Sequence, residues 1–196
     1  PKNYVTFNNE TWRIIGVFPT DDGTGNIENR IKLIRNESIG FKYWDTGDIN
    51  NWARPATLNT ELNTTYLNSL DSTSKSMIGN TKYYLGGYYA TSSKKDVMYQ
   101  YERKIQNTKS NEFYYESNPN SFIGKLGLMY ASDYGYAVSD ECTQNLMSYS
   151  DATCKNNNWL FKGIKEWMLP QHSYYSYYAF LVDSSGSVYN NHVSGN

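Results

Sequence analysis

Histidine and cysteine are scarce in this 196-residue chain, with two of each. That scarcity leaves little for metal or nucleophilic chemistry, because a structural zinc site needs four such ligands brought together and the cysteine pair has no histidine nearby in sequence. A Ser-His-Asp relay needs a well-placed imidazole, and both histidines, His172 and His192, fall in the C-terminal tail. Charge of one sign is also missing: 18 Lys and Arg stand against 19 Asp and Glu, for a net −1. The longest basic run is Lys94-Lys95, so a phosphate backbone has nothing to bind and nucleic acid is not an expected partner. No apolar stretch approaches the roughly 18–20 residues of a membrane helix, so this segment is not expected to insert in a membrane. P-loop and dinucleotide fingerprints do not occur, nor does a signal-peptide pattern, and a first residue of Pro fits a processed product.

Aromatic side chains are abundant: 20 Tyr, 5 Trp and 7 Phe. Disordered chains are poor in aromatics and rich in net charge, so this composition indicates a folded domain with a sizeable core. The length fits one domain, 1–196, with no repeat or linker. The two cysteines, Cys142 and Cys154, enclose a short, polar, turn-rich segment. A disulfide there would contribute about 3 kcal/mol and imply an oxidising compartment. A metal pair is the rival reading, but no His or further Cys lies nearby.

The chain opens on strand patterns. Tyr4–Phe7 precedes an Asn8-Asn9 turn, Trp12–Phe18 is dense in β-branched and aromatic residues, and Arg30–Arg35 alternates charged with apolar residues. Together they predict an antiparallel meander. Leu58, Leu62, Tyr66 and Leu70 recur at helical spacing, with Thr57 or Asn59 as cap. A second helix is predicted over Ser72–Ile78, capped by Ser72 or Ser74, and a third over Val97–Ile105. Short strands are predicted at Tyr83–Gly87, Lys125–Tyr130, Trp167–Leu169, Ala179–Val182 and Ser187–Tyr189. The expectation is an α+β domain with a twisted, mostly antiparallel sheet, two to three short helices and long loops.

Several motifs share an order: Thr11-Trp-Arg-Ile-Ile-Gly-Val-Phe18, Ile31-Lys-Leu-Ile-Arg35, Tyr83-Tyr-Leu-Gly-Gly87, Gly124 through Ala137, Asn157-Asn-Trp-Leu160 and Trp167-Met-Leu-Pro170. In that order the chain resembles a bacterial surface domain of unknown function, common in gut Firmicutes and Mollicutes relatives and often pilin-like, sitting behind an N-terminal helix or anchor. The resemblance implies a C-type-lectin-like fold, in the variant shared with formylglycine-generating enzymes. It also implies a receptor or adhesin role, as in the variable proteins of diversity-generating retroelements. The family continues into a further closing strand, whereas this chain reaches Asn196 first. The resemblance therefore leaves that strand absent or supplied by another chain. The copper-binding cysteine pair of formylglycine-generating enzymes is not carried over, because Cys142 and Cys154 lie outside the matching region.

The tail is the most informative segment for function. It reads Gln171, His172, Ser173, Tyr174, Tyr175, Ser176, Tyr177, Tyr178, and later Tyr189, Asn190, Asn191 and His192. Tyrosine offers large amphipathic contact area at low entropic cost, and Ser and Asn add adaptable hydrogen bonds. That composition suits loops that bind a protein or glycan target on another cell or surface. A compositional bias toward Asn, Tyr and Lys, visible also at Asn156-Asn157-Asn158, explains the same residues without function. No cofactor is expected. Calcium is the one ion the residues suit, with oxygen donors at Asp21, Asp22 and Asn26, and a hairpin turn explains those equally well. Lectin-type calcium tripeptides are only echoed in scrambled order by Pro170-Gln171 and Asn158-Trp159. Asp133 with Asp140 or Glu141 is a conceivable glycosidase pair, though Asp133 reads better as a turn cap. Trp12, Trp159 and Trp167 are expected in the core, and Trp44 and Trp52 in a second exposed patch. The expected role is a non-enzymatic surface binding module. The alternative is a filament subunit that self-associates, and an enzyme ranks last.

Overall fold

The computed structural model describes residues 2–52, 54–90, 92–104 and 121–195. Among the described residues the chain is mixed α and β, and the strands form three small antiparallel sheets, where the sequence suggested one.

The first sheet is the predicted meander of β1 (Tyr4–Phe7), β2 (Glu10–Asp21) and β3 (Ile27–Arg35). Asn8 and Asn9 both sit at positive φ, the backbone of a tight hairpin turn that Asn tolerates. A bulge between Ile14 and Gly16 bends β2. At the far end, Asp21 Oδ1 accepts the Gly23 and Gly25 amides at 2.8 and 3.2 Å, and Asp22 Oδ1 accepts the Thr24 amide at 2.7 Å. Both glycines have φ above 90°, so the tract is a hairpin turn whose carboxylates cap its own backbone.

Helical residues follow. α1 (Thr57–Glu61), a π turn (Leu62–Tyr66) and α2 (Leu67–Ser69) run on without a break, and Leu58, Leu62 and Leu70 are buried as the periodicity predicts. The cap is not Thr57 or Asn59. Asp45 reaches in from a loop and accepts the Thr57 amide at 3.1 Å. α3 (Ser72–Met77) is capped by Asp71, whose carboxylate accepts the Ser74 amide at 2.8 Å. α4 (Lys95–Lys104) matches the third predicted helix, with Ile105 outside the described residues.

β4 (Thr81–Tyr84) pairs with β5 (Ser121–Gly124) in the second sheet. The strand predicted at Lys125–Tyr130 does not form. The side-chain amide of Asn63 takes the place of a ladder partner, accepting the Lys125 and Leu126 amides at 2.9 and 3.1 Å and donating to the Leu126 carbonyl at 2.8 Å. α5 (Ala131–Tyr136) starts directly after, and Asp133 accepts the Tyr130 amide at 2.9 Å. A 3-10 turn (Leu146–Ser148) and α6 (Ala152–Lys155) complete the helical part.

The third sheet holds β6 (Glu166–Gln171), β7 (Tyr178–Val182) and β8 (Val188–His192) in that order. Ala179–Val182 is buried throughout, as expected of a central strand covered on both faces. Phe180, Val182, Met168 and Val188 enter one core cluster with Tyr134, Tyr149 and the cysteines. Ala179, Leu169 and Val193 enter another with Trp44, Trp52 and Tyr130. Trp44 and Trp52 are therefore core residues. They pack edge to face at 5.6 Å, and Trp44 donates to the Met168 carbonyl at 2.9 Å. An exposed patch at these positions is ruled out by burial: Trp44 is 1% exposed and Trp52 5%. Trp12 is buried, whereas Trp159 and Trp167 are half-buried and pack against the clusters. Cys142 and Cys154 form a disulfide, with Cα atoms 4.8 Å apart.

Candidate functional site

The loop joining β6 to β7 carries the aromatic tail residues, and main-chain bonds hold it in place. Asn50 is fully buried. Its Nδ2 donates toward the carbonyls of His172, Tyr175 and Tyr178 at 3.1, 2.7 and 2.5 Å, and its backbone amide donates to the Ser176 carbonyl at 2.7 Å. Ser173 donates its amide to the Tyr88 carbonyl at 3.1 Å, and Val193 donates to the Tyr177 carbonyl at 2.8 Å. Gln171 Nε2 reaches the Leu85 carbonyl at 2.7 Å. The carbonyls of His172, Tyr175, Ser176 and Tyr177 thus have fixed donors, as buried backbone groups require.

With the backbone fixed, the rings of Tyr174, Tyr175 and Tyr177 turn outward, at 49%, 41% and 37% exposure. They touch one another: Tyr174 and Tyr175 meet edge to face at 4.7 Å, Tyr175 and Tyr177 are tilted at 5.9 Å, and Tyr177 stacks on His192 at 5.1 Å. Edge-to-face and offset geometries are the favoured ones for aromatic pairs, so the rings form a continuous ridge. Tyr178 is half-buried at its base, against Tyr175 and Tyr177 at 5.3 and 4.8 Å. Ser176 is half-buried between them.

Two expected contact residues are not on the surface. His172 is 4% exposed and Ser173 2%, because the loop turns inward there to pair with Tyr88. The His172 ring lies among Tyr175, Tyr178 and Phe180 at 5.2, 6.2 and 6.1 Å. Its Nδ1 accepts the amides of Tyr174 and Tyr175 at 3.0 and 3.2 Å. Burial holds its pKa down to about 4, so the ring is neutral at pH 7. On β8, strand alternation puts Asn190 and His192 on one face and Tyr189 and Asn191 on the other. Tyr189 is exposed but shares no ring contact with the ridge among the described residues, so the structure does not bring it to the site. Asn191 Oδ1 accepts the His192 amide at 2.8 Å.

At the edge of the ridge, His192, Asp48 and Ser194 meet. His192 Nδ1 lies 3.1 Å from Ser194 Oγ and 3.1 Å from Asp48 Oδ1, and Ser194 Oγ donates to the same Asp48 oxygen. The residue types are those of a catalytic triad, but the geometry is not. A relay places serine on one imidazole nitrogen and carboxylate on the other, whereas here both lie on Nδ1. Sequence reasoning missed Asn50, Asp48 and Ser194. Nothing local distinguishes Asn50 from the chain's other asparagines, since its partners are more than 120 positions away.

A second polar cluster lies on another part of the molecule. Asp133 accepts from Lys32 at 2.5 Å and Arg103 at 3.3 Å, beneath a cleft of about 120 Å³ walled by Phe18, Tyr99, Tyr136 and Trp159. Glu102 is fully buried beside it, and burial raises its pKa to about 7. With both oxygens engaged by cations and one also holding the Tyr130 amide, Asp133 is a structural carboxylate. Asp140 and Glu141 are solvent-exposed, and no described bond joins either to it. Asp21, Asp22 and Asn26 likewise serve the hairpin turn. Among the described residues no group of three or more His, Cys, Asp or Glu could hold a metal ion.

Comparison with protein-family models, curated proteins and solved structures gave no match. The functional reading rests on the chain itself.

Proposed function

We propose that this chain is a surface-displayed binding module that recognises a protein or glycan through the ridge of Tyr174, Tyr175 and Tyr177, with His192 at its edge. The frame is read as C-type-lectin-like and the compartment as extracellular. The observation that carries the reading is the combination of three solvent-facing tyrosine rings with a loop backbone fixed by a fully buried asparagine. Exposed aromatics on a rigid loop bind with little ordering entropy, which is how tyrosine-rich paratopes gain affinity. The disulfide supports an oxidising compartment. The engagement of both histidines, one accepting two amides and the other holding Ser194 and Asp48 on a single nitrogen, supports a binding reading over a histidine relay.

The test is a screen of the purified domain on a glycan array and a panel of extracellular proteins. Binding is expected to fall by at least about 30-fold when Tyr174 or Tyr177 is replaced by alanine, the scale of an interface hot spot. Binding that survives both substitutions overturns the reading.

One observation favours self-association as a second reading. Val17 pairs with Ile31 across β2 and β3, and they are 62% and 63% exposed, with Ile27 at 65% nearby. Apolar area of this kind can seat a further copy of the chain. Ordered polymers by electron microscopy, lost on Val17→Lys, are the outcome that would support a filament subunit.

A further inference from the structure

We propose that His172, buried beneath the ridge, is its positioning residue, and that protonation of its ring releases the ridge. This inference rests on the reading of the ridge as the binding face. The argument begins with the two amides on Nδ1. A ring nitrogen that accepts N–H bonds must carry a lone pair, so the proton resides on Nε2 and the ring must be neutral. The Tyr89 backbone adjoins the ring and favours its protonated form, the lesser of the two influences on it. His172 therefore joins the segment around Tyr89 to the amides of Tyr174 and Tyr175, two of the three exposed ridge residues.

Protonation reverses this. An imidazolium has no acceptor, so Nδ1–H would face two N–H groups. The groups packed around the ring offer no compensating charge: Tyr88 and Tyr89 from one segment, Tyr175 and Tyr178 from the ridge, Phe180 from β7 and Asn50 through the His172 carbonyl. Among the described residues no carboxylate bonds to this ring. The sign follows. The folded pKa of about 4 lies below the ordinary 6.5, so the closed loop is fully favoured above pH 6.5. It loses ground as pH falls toward 4, and below that no more is lost. Across that window the opening equilibrium rises about tenfold per pH unit, or about 300-fold in all.

The experiment is amide hydrogen exchange by NMR on the whole domain, from pH 7 to pH 4.5. Protection factors of the Tyr174 and Tyr175 amides are expected to fall as pH drops, while those of β7 hold. In His172→Asn the side-chain oxygen takes the place of Nδ1 and does not titrate, so the profile is expected to be flat. An unchanged slope in that variant, or flat protection in the wild type, overturns the proposal. Should the variant fail to fold, the wild-type ring signals decide. A His172 titration midpoint far below that of an ordinary histidine supports the proposal, and an ordinary midpoint with undisturbed ridge amides overturns it. These readouts involve no target. The positioning role can therefore fail while the ridge still binds, and it can stand if the array screen finds nothing.

Discussion

The ridge and the cleft are both lined with aromatic rings, yet they are organised in opposite ways. At the ridge the polar groups underneath are neutral: an asparagine amide, backbone carbonyls and an uncharged imidazole. The rings above are left facing solvent. At the cleft the groups underneath are ionic, Lys32 and Arg103 on Asp133, with Glu102 sealed behind. The rings there cover charge, with Arg103 lying 5.4 and 5.5 Å from the Tyr99 and Phe18 ring centres and Lys32 5.7 Å from that of Phe18. The difference lies in what each set of rings does. Rings that shield buried ions are committed to stability, because uncovering those ions exposes a costly network to rearrangement. Rings over a neutral, satisfied backbone are free for contact.

The sharpest way to break this contrast is to remove its neutral support. Asn50→Ala leaves the His172 carbonyl without its donor, at about 1–3 kcal/mol, and takes one of two donors from the Tyr175 and Tyr178 carbonyls, which keep the Tyr178 and His172 amides, at about 0.5–1.5 kcal/mol each. Stability by chemical denaturation is expected to fall by about 3–5 kcal/mol. A loss under 1 kcal/mol would mean the ridge does not depend on Asn50. The disulfide gives the next largest effect. Replacing Cys142 and Cys154 together with Ser is expected to cost about 3 kcal/mol, a fall in Tm of about 6–12 °C for a domain of this size.

Glu102 tests the ionic side. Its folded pKa is raised from the ordinary 4.5 to about 7. Its protonated form is therefore favoured in the fold, and stability is lost as pH climbs through that window. Glu102→Gln removes the titration, so the variant is expected to gain on the order of 2 kcal/mol over wild type at pH 8. At pH 4.5 the two should be nearly equal, and thermal melts at both values check this. The smallest effect belongs to the ridge itself. Tyr174→Ala and Tyr177→Ala are expected to change stability by no more than about 0.5 kcal/mol, and a larger drop would show that these rings serve the core.

Local pattern made much of this legible. The meander, the helix of Leu58 and Leu62, the turn at Asn8 and the buried run of β7 all rest on neighbours in sequence, and their periodicities carried them. The failures share a cause. Lys125–Tyr130 alternates like a strand, but its ladder was replaced by one side chain, Asn63, more than 60 positions away. Trp44 and Trp52, flanked by acids and amides, look exposed, and segments distant in sequence, among them Leu85, Tyr130, Leu169, Ala179 and Val193, cover them. Composition puts His172 on the surface with its neighbours, because it does not reveal which residue of a tyrosine-rich run turns inward. The ridge's residues were readable and its support was not: Asn50 acts entirely through distant carbonyls.

Asn50 and Val193 grip the loop by main-chain oxygens, which every amino acid possesses. Substitutions at positions 174, 175 and 177 are therefore expected to cost little in folding, which suits the loop to a randomised library. New specificities could be selected there without re-engineering anything beneath.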